Sequence, residues 1–415
     1  MKKQIALLVP EYRTDVAPGG GVSTVADFIY DAFSAESSWE VQIVSPRTWN
    51  RAPENQRILN PKSWVRGPIS STSTVSGRKV IYVGSRFSEL EFFRYLPRKP
   101  LTHILEPFDA VVVVCGTPAI LNSVRQLEKP IIAQVATTVP QERTRVANRG
   151  SGLRRFYSRL NNFFIYQLDK SGVKIPQRLS VENPWMENWT RLHGAQSTTL
   201  DIPGVDTEFF SPSDNLISET EKLDEGFILS VGRLNEVRKD FGLLIRSYAK
   251  AVVDNQVSQN LVIAGRDDLS SECYELMDKL KIRDRVQVYR NLSFSELRDL
   301  YRGADFFVMS SSEEGLGMVL IESLACGTPI ISTATEGAKS VVSVAGLGTL
   351  VSFNDEIENN LAKAIASLAN NPEEIKQQSK LSRATAEKNF GVETSGLKFR
   401  DMVKHALMVP RTKKV

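Results

Sequence analysis

The sequence predicts an α/β protein built from two doubly wound domains facing each other across a cleft. Three observations predict it. Short apolar runs alternate with amphipathic stretches along nearly the whole chain. Most of the runs are apolar throughout instead of alternating with polar residues. The pattern then occurs twice, on either side of a Pro-, Gly- and Ser-containing break at 203–215. Runs that are apolar on both faces are strands covered on both faces, hence parallel strands between helical layers. A chain of 415 residues is also longer than one hydrophobic core usually serves.

Taken in order, the first half offers strands at 5–9, 41–44, 80–83, 110–114, 131–135 and 198–202. The second half offers strands at 227–231, 261–264, 286–289, 305–309 and 329–332. Helical periodicity fills the intervals, as at 22–33, 241–253, 271–281 and 318–325. Ser293 and Glu296 have the spacing of a capping box, opening a helix that runs to Arg302. The stretch 50–77, rich in Pro, Ser and Arg, reads as long loops. The resulting division is an N-terminal domain 1–203 and a C-terminal domain 204–389. In such sheets ligands sit beyond the carboxyl ends of the strands.

Composition narrows the class. The three cysteines, Cys115, Cys273 and Cys326, are widely spaced in apolar surroundings, which argues against a disulfide framework or a zinc site and for a reducing compartment. The apolar run near the start is short and ends at Pro10-Glu11, so it reads as a buried strand and not as a signal peptide. No stretch approaches the roughly 18 apolar residues of a membrane span. The formal net charge is +4 but uneven: between Arg143 and Arg178 nine basic residues stand against Asp169 alone. Within that segment Leu153, Phe156, Tyr157, Leu160 and Phe164 recur at helical spacing among Arg154, Arg155 and Arg159. Two readings fit 152–169: an interfacial helix docking on anionic lipid, or a core-facing helix with a solvated basic edge. The second is the preferred one. No nucleic-acid motif accompanies the charge.

The strongest chemical signal runs from Ser311 to Pro329. A strand delivers the chain to a polar loop, where Gly315 and Gly317 remove Cβ atoms at a place suited to close ligand approach. A helix starts near Met318, aiming amides and its positive end at phosphate or sugar hydroxyls. Glu314 lies on the loop. Glu322 lies about one turn into the helix and leans back toward the same ligand, where a carboxylate can accept two hydrogen bonds from a ribose diol. The second signal is Gly232-Arg233, followed by Arg238-Lys239. Arg233 and Lys239, fixed at a strand's carboxyl end, suit a diphosphate and would stabilise the charge of a leaving nucleotide in place of a metal. Arg238 beside Lys239 leaves the choice of ligand open. Near the start, Gly19, Gly20 and Gly21 form a loop whose backbone can approach a ligand, without the full spacing of a dinucleotide site.

These residues resemble the group 1 glycosyltransferases (family four). The resemblance rests on the Glu-x(7)-Glu segment Glu314 to Glu322 with Gly315, Leu316, Gly317, Met318 and Val319 between them, and on Gly232-Arg233-Leu234 followed by Lys239. It implies the GT-B fold and transfer with retention of anomeric configuration. It implies that Glu314 contacts the donor sugar, that Glu322 holds the ribose and that the intervening amides meet sugar and diphosphate. It favours Lys239 over Arg238 as the family lysine, and places the base near Arg290, Asn291 and Leu292. Gly20 and Gly21 match a Gly-Gly of the family that contacts donor phosphate or acceptor. A terminal helix at about 392–408, within 390–415, would pack back on the first domain. One departure stands out: where many members have a histidine after the strand 131–135, this chain has Ala136, followed by Thr137 and Thr138. The implied mechanism is a front-face displacement in which the departing phosphate helps deprotonate the acceptor, with Arg233, Lys239 and Glu314 as the catalytic set. No metal and no cofactor are implied.

The expectation is therefore a cytoplasmic, retaining, metal-independent glycosyltransferase. It would move a sugar from a nucleotide-diphosphate sugar to a sugar, lipid-linked or small-molecule acceptor, in glycan, polysaccharide or glycolipid synthesis. Peripheral contact with the inner membrane surface through 152–169 is kept beside it as the less favoured reading of that helix. The alternatives are an inactive nucleotide-sugar-binding protein, or an epimerase on the same fold. A phosphorylase would need a pyridoxal lysine, and nothing marks one.

Overall fold

The computed structural model describes residues 2–12, 21–147, 152–212, 226–255 and 257–409. The chain divides into two compact units, one of residues 1–203 with 395–415, the other of residues 204–394.

The first unit holds an eight-stranded sheet. Its strands are β1 (Lys3–Leu8), β2 (Trp39–Pro46), β3 (Ser70–Val75), β4 (Arg78–Val83), β5 (Ala110–Cys115), β6 (Ile131–Val135), β7 (Arg178–Val181) and β8 (Thr198–Leu200). They lie in the order β3-β4-β2-β1-β5-β6-β7-β8, and all pairs are parallel except β3 with β4. The apolar runs of β1 and β5 are buried from end to end within it, apart from the first residues of β1. Each such Val, Ile or Leu side chain withdrawn from water contributes about 1.5–3 kcal/mol.

The stretch 50–77 is not the set of long loops its composition suggested. It contains a helix, Pro61–Arg66, and the edge strand β3. Strand β3 reads Ser-Ser-Thr-Ser-Thr-Val, so it has no apolar alternation to betray it; an edge strand facing water needs none. Ser76 and Gly77, with φ of 50° and 75°, form the two-residue turn that returns β3 onto β4. Asn55 accepts from the Ser85 amide at 2.8 Å and Glu54 accepts from Ser71 at 2.6 Å, pinning the preceding segment.

Asp169 is fully buried and accepts from the amides of Ala119 at 2.9 Å and Val139 at 2.8 Å. It thereby fastens two segment starts to the helix Gly152–Gly172. Burial pushes its carboxyl up to about 7 despite those two bonds.

The second unit holds β9 (Phe227–Arg233), β10 (Asn260–Arg266), β11 (Val286–Arg290), β12 (Ala304–Met309), β13 (Ile330–Thr333) and β14 (Thr349–Val351). All are parallel, in the order β11-β10-β9-β12-β13-β14. The chain builds outward from β9 through β10 to β11, then returns to β9's other side with β12. That reversal is the place where a doubly wound sheet opens a crevice at its carboxyl edge. The helices Phe241–Asn255 and Ile357–Ala369 contribute much of the core beside this sheet. The capping box forms: the Ser293 hydroxyl accepts from the Glu296 amide, and the Glu296 carboxylate accepts from the Ser293 amide at 2.7 Å.

Candidate active site

Two loops meet at the reversal between β9 and β12. The first leaves β9 at Gly232-Arg233, makes a 3-10 turn at Val237–Lys239 and enters the next helix through Asp240, whose φ is 46°. The second leaves β12 at Met309 and reaches the helix Met318–Ala325 through Gly317. Gly317 has φ of 86°, a left-handed angle at which glycine is strongly preferred. The main chains of the two loops are joined. The Ser312 amide donates to the Arg238 carbonyl at 2.7 Å, and the Ser310 hydroxyl donates to the Lys239 carbonyl at 2.9 Å.

On that frame Lys239 Nζ pairs with Glu314 Oε1, and Ser311 Oγ donates to the same oxygen at 2.8 Å. Burial pulls the Glu314 carboxyl upward, but the charge and hydrogen bond of Lys239, with the Ser311 hydroxyl, outweigh it and hold Glu314 below its ordinary value. Glu322 is 5% exposed and takes the Tyr301 hydroxyl at 2.9 Å on Oε2. Burial dominates here and pushes its carboxyl up to about 7, against the Tyr301 bond and the charge of Lys239. Lys239 therefore acts on both glutamates.

The arginines separate in role. Arg233 is half exposed and pairs with Glu236 at 2.8 Å. An exposed pair of this kind is worth no more than about 1 kcal/mol, so a ligand anion can replace it. Arg238 is mostly buried, with Nε on Glu236 at 2.6 Å, Nη2 on the same carboxylate and Nη1 on Glu313. All its donor nitrogens are engaged, so Arg238 braces the two loops instead of reaching toward a ligand.

Gly232 lies level with Gly265 on β10. A Cβ on Gly265 would stand 1.7 Å from the Gly232 carbonyl oxygen, so the sheet tolerates no side chain there. Leu316, Gly317 and Met318 are buried, while Gly315 and Val319 are partly exposed. Arg290, Asn291 and Leu292 close β11, two strands out along the same carboxyl edge. There Arg290 pairs with Asp268 at 2.5 Å, and the Asn291 amide donates to the Gly265 carbonyl at 2.8 Å.

The remaining positions lie in the first unit. Gly20 falls outside the described residues, and Gly21 is the first residue of the helix Gly21–Ser34. After β6, the Thr137 amide donates to the Gly116 carbonyl at 2.8 Å and its hydroxyl meets Gln141 at 3.0 Å. Thr138 is buried. The helix Gly152–Gly172 is not core-facing over its first half: Phe156, Tyr157, Leu160, Phe163 and Phe164 are between 44% and 67% exposed. No helix among the described residues is long and apolar enough to cross a membrane.

The residues that sequence reasoning missed are Tyr301, Ser311, Glu236 and Glu313. Ser311 lies three before Glu314 and was within the quoted motif. Tyr301 lies on the helix Phe294–Gly303, and only the sheet order brings it to Glu322.

Residues 213–388 match the family model described as glycosyl transferases group 1. Over 174 residues the chain is 31% identical to the D-inositol 3-phosphate glycosyltransferase of Mycobacterium tuberculosis, a match covering 40% of this chain. It spans 35% of that relative's length. Among solved structures the chain is similar to sucrose-phosphate synthase from Thermosynechococcus elongatus, with a TM-score of 0.70 at 20% identity over 98% of this chain and 100% of the other. It is also similar to Anabaena HepE in complex with UDP, with a TM-score of 0.65 at 14% identity over 97% and 100%. These likenesses show the fold, GT-B with two Rossmann-like α/β units.

Proposed function

We propose that the protein, whose residues 213–388 match the group 1 glycosyl transferase model, is a retaining glycosyltransferase that needs no metal and takes a nucleotide-diphosphate sugar as donor. The observation that carries this reading is the Lys239–Glu314 pair beside Glu322 at the reversal of the second sheet. In this reading the second unit holds the donor and the first unit the acceptor. An ammonium has three donors, so Lys239 can keep Glu314 and still meet phosphate oxygens. Arg233 leaves its weak pair for the diphosphate, and together they stabilise the charge that grows on the departing nucleotide. Glu314 accepts from a hydroxyl of the donor sugar. Glu322 accepts from the ribose diol, and the amides after Gly315 meet the diphosphate. The base lies toward Asn291. The departing phosphate itself takes the acceptor's proton, on the same face of the sugar. The complex of HepE with UDP supports such a donor.

The test is a thermal-shift series with UDP, GDP, ADP and dTDP in the presence of EDTA. A ligand at a hundred times its Kd stabilises by about 2.7 kcal/mol. At least one nucleotide should raise the melting temperature, by less in Arg233→Ala. With that nucleotide's sugar as donor, the product anomer read by NMR should keep the donor configuration. Silence from all four nucleotides, or an inverted product, refutes the reading.

The exposed Phe156, Tyr157, Leu160, Phe163 and Phe164, beside Arg155 and Arg159, support peripheral contact with an anionic membrane and hence a lipid-linked acceptor. The protein should co-sediment with phosphatidylglycerol vesicles but not with phosphatidylcholine vesicles, and Phe163→Ser/Phe164→Ser should release it. Equal sedimentation of the variant removes this part of the proposal.

A further inference from the structure

Tyr301, on the helix Phe294–Gly303, is fully buried. Two rings confine its own: Phe210 lies edge-on at 6.2 Å, and Phe307 of β12 is tilted against it at 5.8 Å. Its carbonyl accepts from the Thr328 hydroxyl at 2.6 Å. Thr328 follows the helix Met318–Ala325 that carries Glu322, and its own carbonyl accepts from Ser323 of that helix at 3.0 Å. Tyr301 is thus fastened to the Glu322 helix twice, through its main chain at Thr328 and through its hydroxyl at Glu322. A ring packed in this way keeps its rotamer, so the hydroxyl is held in one place.

That hydroxyl donates to Glu322 Oε2 and makes no other hydrogen bond among the described residues. Burial and the carboxylate beside it raise the phenol well above its ordinary value, so it stays protonated and acts as a donor. A phenylalanine would fill the same space, so packing accounts for the ring but not for the hydroxyl. Stability does not call for the pair either, because two apolar side chains of the same shape would be nearly neutral or stabilising. The other carboxylate oxygen is left free. Oε1 takes no hydrogen bond among the described residues, and it is not one of the enclosed, unsatisfied side-chain atoms, so the residual exposure of Glu322 includes it. One oxygen is tethered inside and one is available outside.

We propose that Tyr301 is a positioning residue for the nucleotide: its hydroxyl holds Oε2 of Glu322 and so presents Oε1 to the ribose diol. This rests on the donor reading above. The full-length protein is titrated with UDP, GDP and ADP, each beside its 2′-deoxy form, over a range of pH. Wild type should bind the accepted ribonucleotide at least about tenfold more tightly than its 2′-deoxy form. In Tyr301→Phe that preference should fall below about threefold. The hydroxyl and the charge of Lys239 favour the ionised carboxylate against burial. Losing the hydroxyl should therefore move the rise of affinity with pH upward by at least about half a unit. The Cys326 thiol, which also acts on this pair, is pushed up to about 12 by burial and does not titrate in that window. Should Tyr301→Phe fold poorly, Glu322→Ala, which leaves no carboxylate to strand, carries the test. It should have lost the ribose preference, and adding Tyr301→Phe to it should change affinity less than about twofold. An undiminished ribose preference in Tyr301→Phe or Glu322→Ala, or a further loss in the double variant, overturns the positioning role and leaves the donor reading standing. Wild type that binds none of the nucleotides overturns the donor reading first, and this proposal with it.

Discussion

Replacing Lys239 by alanine is expected to cut donor turnover by about 10²–10³-fold and to weaken the second unit by about 3–5 kcal/mol. Both effects have one origin. The Lys239 and Glu314 side chains are 14% and 13% exposed, so neither charge is well hydrated without the other. Lys239 is what keeps Glu314 ionised against its burial. Its removal leaves a carboxylate that must either take up a proton or stand unpaired. The double variant Lys239→Met/Glu314→Gln removes both charges of this pair and should recover most of the stability while staying inactive. Urea unfolding and donor hydrolysis on the three proteins separate the two roles. If Lys239→Ala unfolds and turns over like wild type, the pair is incidental and the site assignment falls with it.

Glu322→Gln is expected to act in the opposite direction on stability. The Glu322 carboxyl is raised from an ordinary 4.5 to about 7, chiefly by burial. The folded chain therefore holds this proton to higher pH than the unfolded chain does. Between pH 4.5 and 7 unfolding releases it, so this group lowers stability as pH climbs through that window, and the loss is complete above 7. At 1.36 kcal/mol per pH unit the penalty amounts to about 3 kcal/mol. Glutamine does not titrate and still accepts from the Tyr301 hydroxyl. The variant should match wild type below pH 4.5 and exceed it by up to about 3 kcal/mol at pH 8. Asp169, also raised to about 7, titrates in both proteins and cancels in the difference. Donor affinity should move the other way. An amide has one acceptor oxygen where a carboxylate has two, so the variant binds more weakly, and wild-type affinity rises as pH increases through 7. A stability difference that does not vary with pH would show that Glu322 is not the group responsible. Such an exchange of stability against binding is common where a polar group is buried for function.

The fold was legible where burial imposes a pattern. Strands such as β5 and β10 are covered on both faces and read as unbroken apolar runs. Strand β3 was not legible, because a hydroxyl-rich edge strand carries no hydrophobic signal, and β14 has only three residues. In the site, Glu314 and Glu322 stood out in the strand–loop–helix pattern around them, whereas the choice of Lys239 over Arg238 came from the family resemblance alone. The engagement of Arg238 was not legible, since Glu313 comes alongside only after the chain has traversed β10 and β11 and returned. Tyr301 and Asp169 illustrate a general blindness: a polar residue inside an amphipathic stretch looks alike whether it meets water or a buried partner. The helix Gly152–Gly172 shows the complementary case. Periodicity establishes that its apolar side chains share a face, but not what that face meets, and the core-facing choice was the wrong one for its first half.

The bonds from Ser312 to the Arg238 carbonyl and from Ser310 to the Lys239 carbonyl have a practical corollary. They fasten the two loops through peptide groups and small hydroxyls, not through the long side chains that reach outward. These links stand beside the Arg238–Glu313 and Lys239–Glu314 side-chain pairs, and the exposed Arg233 belongs to neither set. On the proposed donor reading, exchanging the exposed side chain at 233 should leave these main-chain links in place, so donor preference should change there without loss of the turns that carry it.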